Sequence, residues 1–170
     1  MSHEFFHAVQ AAYRADQESW LSEGMAVWAE HLFEPEVRDY LSYCAEYLEH
    51  TDRSLNRPPA GAITSFSYST AIWFGFLQEK RGSDMMISIL EELDVQEDSS
   101  QAMFDAIGPD FEELWHEFGR WNLATSRRAG VLESYPYASQ LHGLELAQEG
   151  TQIFDDHRFY PLTASYFQLE

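Results

Sequence analysis

A motif H-E-x-x-H occupies residues 3–7 of the 170-residue sequence. Its histidines, His3 and His7, are four positions apart, and an α-helix brings side chains at that spacing onto one face, one turn apart. Two imidazoles so arranged can bind one zinc ion, and Glu4 beside the first can reach a water molecule on the metal. The motif therefore predicts that this stretch is helical and that the helix carries a metal site.

The same letters also suit a plain surface helix, in which two solvated histidines flank an ion-pairing glutamate. The chain contains a second copy of the first two letters at His116 and Glu117. That copy ends in Arg120 where the second ligand would stand, so we interpret it as structural. The metal hypothesis for the first copy therefore depends on the residues that follow it.

Residues 20–30 read W-L-x-E-G-x-A-x-W-x-E and supply a candidate third ligand, Glu23. Zinc that serves hydrolysis needs three protein ligands and an open position for water. The gap after His7 allows two more helical turns, a short loop and entry into a second helix. The neighbours of the carboxylate are typical of a buried helix: Trp20, Leu21, Met25 and Trp28. A solvated carboxylate fits poorly there, whereas a metal is a good partner for a buried one.

Glu30 follows Glu23 by two helical turns and shares its face. A ligating imidazole usually donates its second N–H to an oxygen, so we interpret Glu30 as an outer partner of the ligands or as a structural carboxylate. A surface ion pair is an equal alternative.

The composition excludes several classes of partner. The formal net charge is −19, with ten basic residues against 29 acidic ones, so a phosphate backbone or an anionic membrane would be repelled. No run of about 18 apolar residues is present, and no transmembrane helix is expected. No signal peptide is visible, so an export signal of the natural protein would have to precede this sequence. The lone Cys44 excludes an intrachain disulfide and is expected in the core.

Apolar periodicity predicts a mainly α chain. Helices are expected over residues 3–14, 17–33, 35–48, 66–81, 84–94, 99–107 and 111–126. Pro35 is predicted to open the third helix, and Asp110 to cap the last.

After Gly130, aromatic and β-branched runs between glycines and prolines, such as residues 162–169, predict short strands. We therefore expect a helical lobe over 1–129 and a β-rich, incomplete segment over 130–170.

Residues 3–30 resemble the gluzincin zinc metallopeptidases, which combine H-E-x-x-H with a downstream W-L-x-E-G-x-A glutamate. Residues 68–82 are similar to the helix that follows the ligand helix in this group, and residues 111–122 to a later helix. The likeness covers most of residues 3–128. It is closest to a bacterial family of uncharacterised, exported metallopeptidases that share H-E-x-x-H-A-x-Q, here residues 3–10. It implies the helical C-terminal lobe of a zincin-like domain and an extracellular or periplasmic location.

The resemblance implies that His3, His7 and Glu23 hold one zinc ion for peptide-bond hydrolysis, with a peptide or protein as substrate. Zinc lowers the pKa of its bound water and polarises the substrate carbonyl. Glu4 is then the general base, which takes a proton from that water and passes it to the leaving amine.

Gluzincins usually add a tyrosine or histidine that stabilises the oxyanion. The resemblance points to Tyr68 for this role, with Tyr13 and Tyr160 as lesser candidates. The remaining histidines have no partner at ligand spacing and are expected to be surface or structural residues: His31, His50, His142 and His157.

Zincins place a β-sheet before the active-site helix, and an edge strand of that sheet aligns the substrate. We therefore expect this chain to be the second half of a catalytic domain, with His3 in a weakly held first turn. One alternative is a catalytically inactive, zincin-like helical binding module or degenerate relative. Another is an acidic interaction domain without metal. Metal content and turnover distinguish the three.

Overall fold

A computed structural model of the chain describes residues 2–59, 64–144, 146–148 and 161–168. Over these ranges the chain is mainly helical, as the sequence predicts. The α-helices are α1 Ser2–Tyr13, α2 Ser19–Phe33, α3 Tyr40–Glu49, α4 Ser65–Ser69, α5 Ala71–Arg81, α6 Asp84–Val95, α7 Ser99–Ile107 and α8 Phe111–Leu123. Short 3-10 helices at Gly108–Asp110 and Ser126–Arg128 flank α8, and strands β1 Ala147–Gln148 and β2 Phe167–Gln168 pair in parallel. None of the described helices is long and apolar enough to span a membrane.

Helix α2 lies at the centre of the fold, where it contacts α1, α4 and α5. Most of its residues are buried. The largest fully buried side chains of the core are mainly aromatic: Trp20, Tyr47, Phe66, Trp73, Phe74, Phe76 and Phe118. Burial of one such side chain contributes about 1.5–3 kcal/mol to stability. This core therefore fixes the position of α2, the helix that carries Glu23.

Helix α2 approaches the junction of α4 and α5 closely because Gly24 has no side chain. A Cβ at this position would lie 2.2 Å from Oγ1 of Thr70 and 2.8 Å from a ring carbon of Phe74. The Thr70 hydroxyl is also within hydrogen-bond distance of the Trp20 carbonyl on α2. These contacts set the depth at which the neighbouring Glu23 lies.

The prediction of one helix over residues 66–81 is wrong, because the chain breaks at Thr70 into α4 and α5. The Thr70 hydroxyl lies 2.7 Å from the carbonyl oxygen of Ser67, one turn earlier. Such a side-chain bond competes with the backbone ladder of a helix. The break leaves Tyr68 in a short helix of its own, ahead of the buried α5.

The predicted start of α3 and the side-chain cap predicted for α8 are also wrong, although α8 begins at Phe111 as predicted. Pro35 opens a turn in which the N–H of Val37 donates to the Glu34 carbonyl at 2.9 Å, and α3 begins only after this turn. Asp110 provides no side-chain cap for α8. Its carboxylate pairs instead with the Arg81 guanidinium at 2.6 Å.

The described residues after Gly130 pack back onto the helices. Tyr135 donates a hydrogen bond to Oδ1 of Asn122 on α8 at 2.6 Å. The N–H of Leu55 donates to the carbonyl of Leu162 at 3.0 Å. The buried residues on both sides of residue 130 belong to one hydrophobic cluster.

The β-rich segment predicted over 130–170 stays a prediction. Among the described residues of this stretch, the strands are β1 and β2, of two residues each. Residues 149–160 lie outside the described ranges, and the described residues from 131 to 144 form turns and irregular structure.

Buried tyrosines make the fold sensitive to alkaline pH. Burial raises the pKa of the Tyr47 and Tyr135 phenols well above the usual value, so the folded chain keeps both protons when the pH passes about 10. The unfolded chain releases them near that pH. Above about pH 10 the folded state therefore binds more protons, and the free energy of unfolding falls by about 1.4 kcal/mol per pH unit for each group. Below about pH 9 these two phenols should leave the free energy of unfolding unchanged. Urea unfolding measured on both sides of about pH 10 would test this dependence.

Two variants separate the contributions of these phenols. Tyr47→Phe removes a buried hydroxyl that has no hydrogen-bond partner among the described residues, so we expect it to raise the free energy of unfolding by about 1 kcal/mol at neutral pH. Tyr135→Phe removes the bond to Asn122 and should lower it by about 1 kcal/mol. Both variants should lose less stability above pH 10 than the parent chain. If the free energy of unfolding falls with pH above about 10 as steeply in both variants as in the parent chain, Tyr47 and Tyr135 are not the source of the alkaline sensitivity.

Candidate metal centre

Helix α1 presents one face to α2. The side chains of this face follow helical spacing, and they are His3, Phe6, His7 and Gln10. Gln10 is buried, and Phe6 packs against the core. Glu4 and Phe5 are exposed, so the two histidines of the motif lie on the inner side of the helix.

The structure brings His3, His7 and Glu23 together. Nε2 of His3 lies 3.1 Å from Nε2 of His7 and 3.2 Å from Oε2 of Glu23. Nε2 of His7 lies 3.4 Å from the same carboxylate oxygen. A tetrahedral zinc ion with ligand distances of about 2.0–2.1 Å holds its ligand atoms roughly 3.3–3.4 Å apart. The triangle of two imidazole nitrogens and one carboxylate oxygen therefore fits a single zinc ion.

The cluster is partly open to solvent. The Glu23 side chain is 7% exposed, whereas those of His3 and His7 are 17% and 28% exposed. A carboxylate this deeply buried needs a charged or hydrogen-bonding partner, which a cation between the three groups would provide. The exposed side of the imidazoles leaves the ligand nitrogens accessible to water.

Gln10 controls which nitrogen of His7 carries the proton. Nε2 of Gln10 donates a hydrogen bond to the Ser22 carbonyl at 3.0 Å. Because a carbonyl only accepts, the amide must turn its oxygen toward His7, where Oε1 lies 2.7 Å from Nδ1. Nδ1 of the neutral imidazole is therefore the donor, and the lone pair on Nε2 points into the cluster. The sequence prediction assigned no role to Gln10, although it shares a helical face with His7.

Tyr68 lies beside the cluster. Its ring centroid is 6.0 Å from that of His3. Desolvation raises the pKa of the Tyr68 phenol, and the nearby carboxylates of Glu23 and Glu4 and the phenol of Tyr43 raise it further. The phenol thus remains a hydrogen-bond donor through neutral and mildly alkaline pH. Glu4 itself is exposed, next to His3 on α1.

Glu30 is half-buried near the start of α1. It accepts a hydrogen bond from the Ser2 hydroxyl at 3.4 Å. This contact favours the structural role over an outer partner of the ligands, because it ties the first turn of α1 to α2. The outer partner that the described residues provide for His7 is Gln10.

The other candidates lie elsewhere. Tyr13 is the last residue of α1, about three turns from His3, and Tyr160 lies outside the described residues. Glu117 of the second motif copy forms an ion pair with Lys80 at 2.7 Å, consistent with a structural role. His31 is buried against aromatic rings.

The two remaining histidines near the surface face carboxylates. His50 lies 3.9 Å from Glu46, and His142 lies 3.5 Å from Glu49. His157 is outside the described ranges. Among the described residues, the group of three metal-ligating side chains that could hold one ion is His3, His7 and Glu23.

No protein-family model, no curated protein and no solved structure matches this chain. The resemblance to gluzincins is therefore neither supported nor contradicted by known proteins.

Replacing Gln10 with leucine is expected to weaken zinc binding by roughly 10- to 100-fold, the usual effect of losing an outer partner of a ligand. Leucine cannot accept the Nδ1 proton of His7, and it also loses the hydrogen bond to the Ser22 carbonyl. Calorimetric zinc titration would measure the affinity. Nitrogen-15 chemical shifts of the His7 ring would show whether the zinc-free protein has the Nδ1–H form and whether Gln10→Leu loses it.

Gln17→Leu is the matched control. The Gln17 amide donates to the carbonyls of Gln10 and Arg14 at 3.0 and 2.8 Å but does not bond His7. This variant should lose stability without losing zinc affinity. Equal zinc affinity in the two variants would contradict the positioning role of Gln10.

Proposed function

We propose that this chain binds one zinc ion through His3, His7 and Glu23, and that the site hydrolyses peptide bonds as gluzincin metallopeptidases do. The observation that carries the proposal is the triangle of ligand atoms, whose edges of 3.1, 3.2 and 3.4 Å match one tetrahedral ion. Two imidazoles and one carboxylate are also a ligand set of hydrolytic zinc sites, which keep a fourth position for water.

The donor set favours zinc over harder cations. Imidazole nitrogen suits zinc, whereas calcium and magnesium prefer oxygen ligands. With two nitrogens and one oxygen, the cluster offers too few oxygens for either of those ions. When bound, zinc would supply a Lewis acid and an activated water.

We assign Glu4 the role of general base. It follows the ligand His3 by one position and is exposed to solvent. In hydrolysis its carboxylate accepts a proton from the attacking water and delivers it to the leaving amine. Its negative charge also contributes to the raised pKa of the Tyr68 phenol.

We assign Tyr68 the role of stabilising the oxyanion. Its raised pKa keeps the phenol protonated, so it can donate a hydrogen bond to the oxygen that gains charge in the transition state. The short helix α4, separated from α5 by the break at Thr70, holds this side chain beside His3. Tyr68→Phe should therefore lower the rate of hydrolysis without affecting zinc affinity.

Zinc titration of the chelator-treated chain, combined with hydrolysis of a mixed peptide library, tests the proposal. We expect one zinc per chain and zinc-dependent cleavage. One zinc without cleavage would keep the metal site and overturn hydrolysis in favour of a non-enzymatic binding module. A chain that binds no zinc would overturn both and favour an acidic interaction domain.

A further inference from the structure

Three rings form a row that leads from the metal centre to solvent. The His3 and Tyr68 ring centroids are 6.0 Å apart with an interplanar angle of 35°. Those of Tyr68 and Tyr43 are 5.6 Å apart at 31°. Offset aromatic pairs favour centroid separations of about 4.5–7 Å. The row therefore extends the aromatic surface of the site outward by one ring beyond Tyr68.

Tyr43 is not part of the core. The buried side of α3 is formed by Tyr40, Cys44, Tyr47 and Leu48, whereas Tyr43 lies at the edge of this face and is 40% exposed. Contacts between α3 and α4 hold it against Tyr68. A large ring that packs against Tyr68 beside a candidate active site, yet is partly open to solvent, has a face available for a ligand.

We propose that Tyr43 forms a substrate-binding subsite, which takes an aromatic side chain of the peptide two residues from the scissile bond. This inference rests on the function proposed above. Side chains on the same face of an extended peptide are about 6.8 Å apart. The spacing of 5.6 Å between the Tyr68 and Tyr43 rings is close to that repeat. A peptide that lies with the residue at its scissile bond against Tyr68 would therefore have the side chain two residues away, on the same face, near Tyr43.

An aromatic occupant is favoured over an aliphatic one because ring pairs gain about 0.5–1.5 kcal/mol beyond the area that they bury. A cationic side chain is the competing occupant, since a guanidinium can also stack on a tyrosine ring and the chain carries a net charge of −19. These two occupants can be distinguished by ligands that share one metal-binding group.

Hydroxamates test the subsite through affinity rather than activity. The zinc-loaded chain would be titrated with acetohydroxamic acid and with hydroxamates that carry a phenyl, cyclohexyl or guanidinium group on alkyl linkers of increasing length. We expect one linker length at which the phenyl compound binds roughly 2- to 10-fold more tightly than the cyclohexyl compound. Binding of acetohydroxamic acid without any phenyl preference would overturn the subsite and leave the metal centre intact. Failure to bind zinc would overturn the metal centre itself, and a guanidinium preference would replace the aromatic occupant with a cationic one.

Variants assign the preference to one ring. Tyr43→Ala should abolish the phenyl preference and leave acetohydroxamic acid affinity unchanged, while Tyr43→Phe should keep both. Phe33→Ala removes a more exposed aromatic ring, 77% accessible at the end of α2, and should change neither. A phenyl preference that survives in Tyr43→Ala would overturn the assignment.

Discussion

The Glu4→Gln variant is expected to bind zinc as the parent chain does and to hydrolyse peptides roughly 10²- to 10⁴-fold more slowly, the usual contribution of a general base. Glutamine has nearly the same size as glutamate, but its amide cannot accept a proton from water. The side chain is exposed, so the substitution should change the free energy of unfolding little. Measurement of kcat/KM for one cleaved peptide, together with zinc stoichiometry, checks both parts.

Glu36→Gln is the control for the change in net charge. Glu36 is exposed in the turn after α2, away from the cluster, and its substitution should leave the rate unchanged. Unreduced hydrolysis by Glu4→Gln would reject Glu4 as the base. Loss of zinc by the same variant would show instead that Glu4 helps to hold the metal.

The His7→Ala variant should bind zinc more than roughly 100-fold more weakly than the parent chain. Removal of an outer hydrogen-bond partner can weaken binding by about that factor, and this variant removes one of the three protein ligands themselves. In the parent chain, zinc at about 100 times its dissociation constant should raise the free energy of unfolding by about 2.7 kcal/mol. The same zinc concentration should not stabilise His7→Ala. Calorimetric titration and urea unfolding with and without zinc measure the two effects.

His116→Ala provides the matched control. His116 begins the second, incomplete copy of the motif and is exposed on α8. Its replacement should leave zinc affinity and zinc-dependent stabilisation unchanged. If His7→Ala and His116→Ala bind zinc equally, the binding comes from scattered surface histidines, and the proposed centre is wrong.

Local spacing was enough to predict part of the site. The interval between His3 and His7 places both on one helical face whatever the helix packs against. The apolar neighbours of Glu23 predict a buried helix, and α2 is buried. These features depend on residues within one or two turns of each other, which is the range over which sequence pattern carries structural information.

Other features could not be predicted, because the partner that decides each one lies far away in the chain. The break at Thr70 accompanies a bond to the Trp20 carbonyl, 50 positions earlier. The cap expected from Asp110 is lost to Arg81, 29 positions earlier. A local pattern contains the donor or the charge, but it does not contain the group that competes for it.

The donor atoms of the proposed centre are a property of the sequence, since side-chain chemistry and helical spacing supply two imidazoles on one face of α1 and a carboxylate on α2. Their approach to within 3.1–3.4 Å is decided by tertiary packing, because the aromatic core and the close contact at Gly24 set the depth of α2. Packing also decides the tautomer of His7, through a Gln10 amide that is oriented by a carbonyl of the other helix. The orientation of a lone pair depends on a hydrogen bond between helices, and such a bond exists only once the helices have packed.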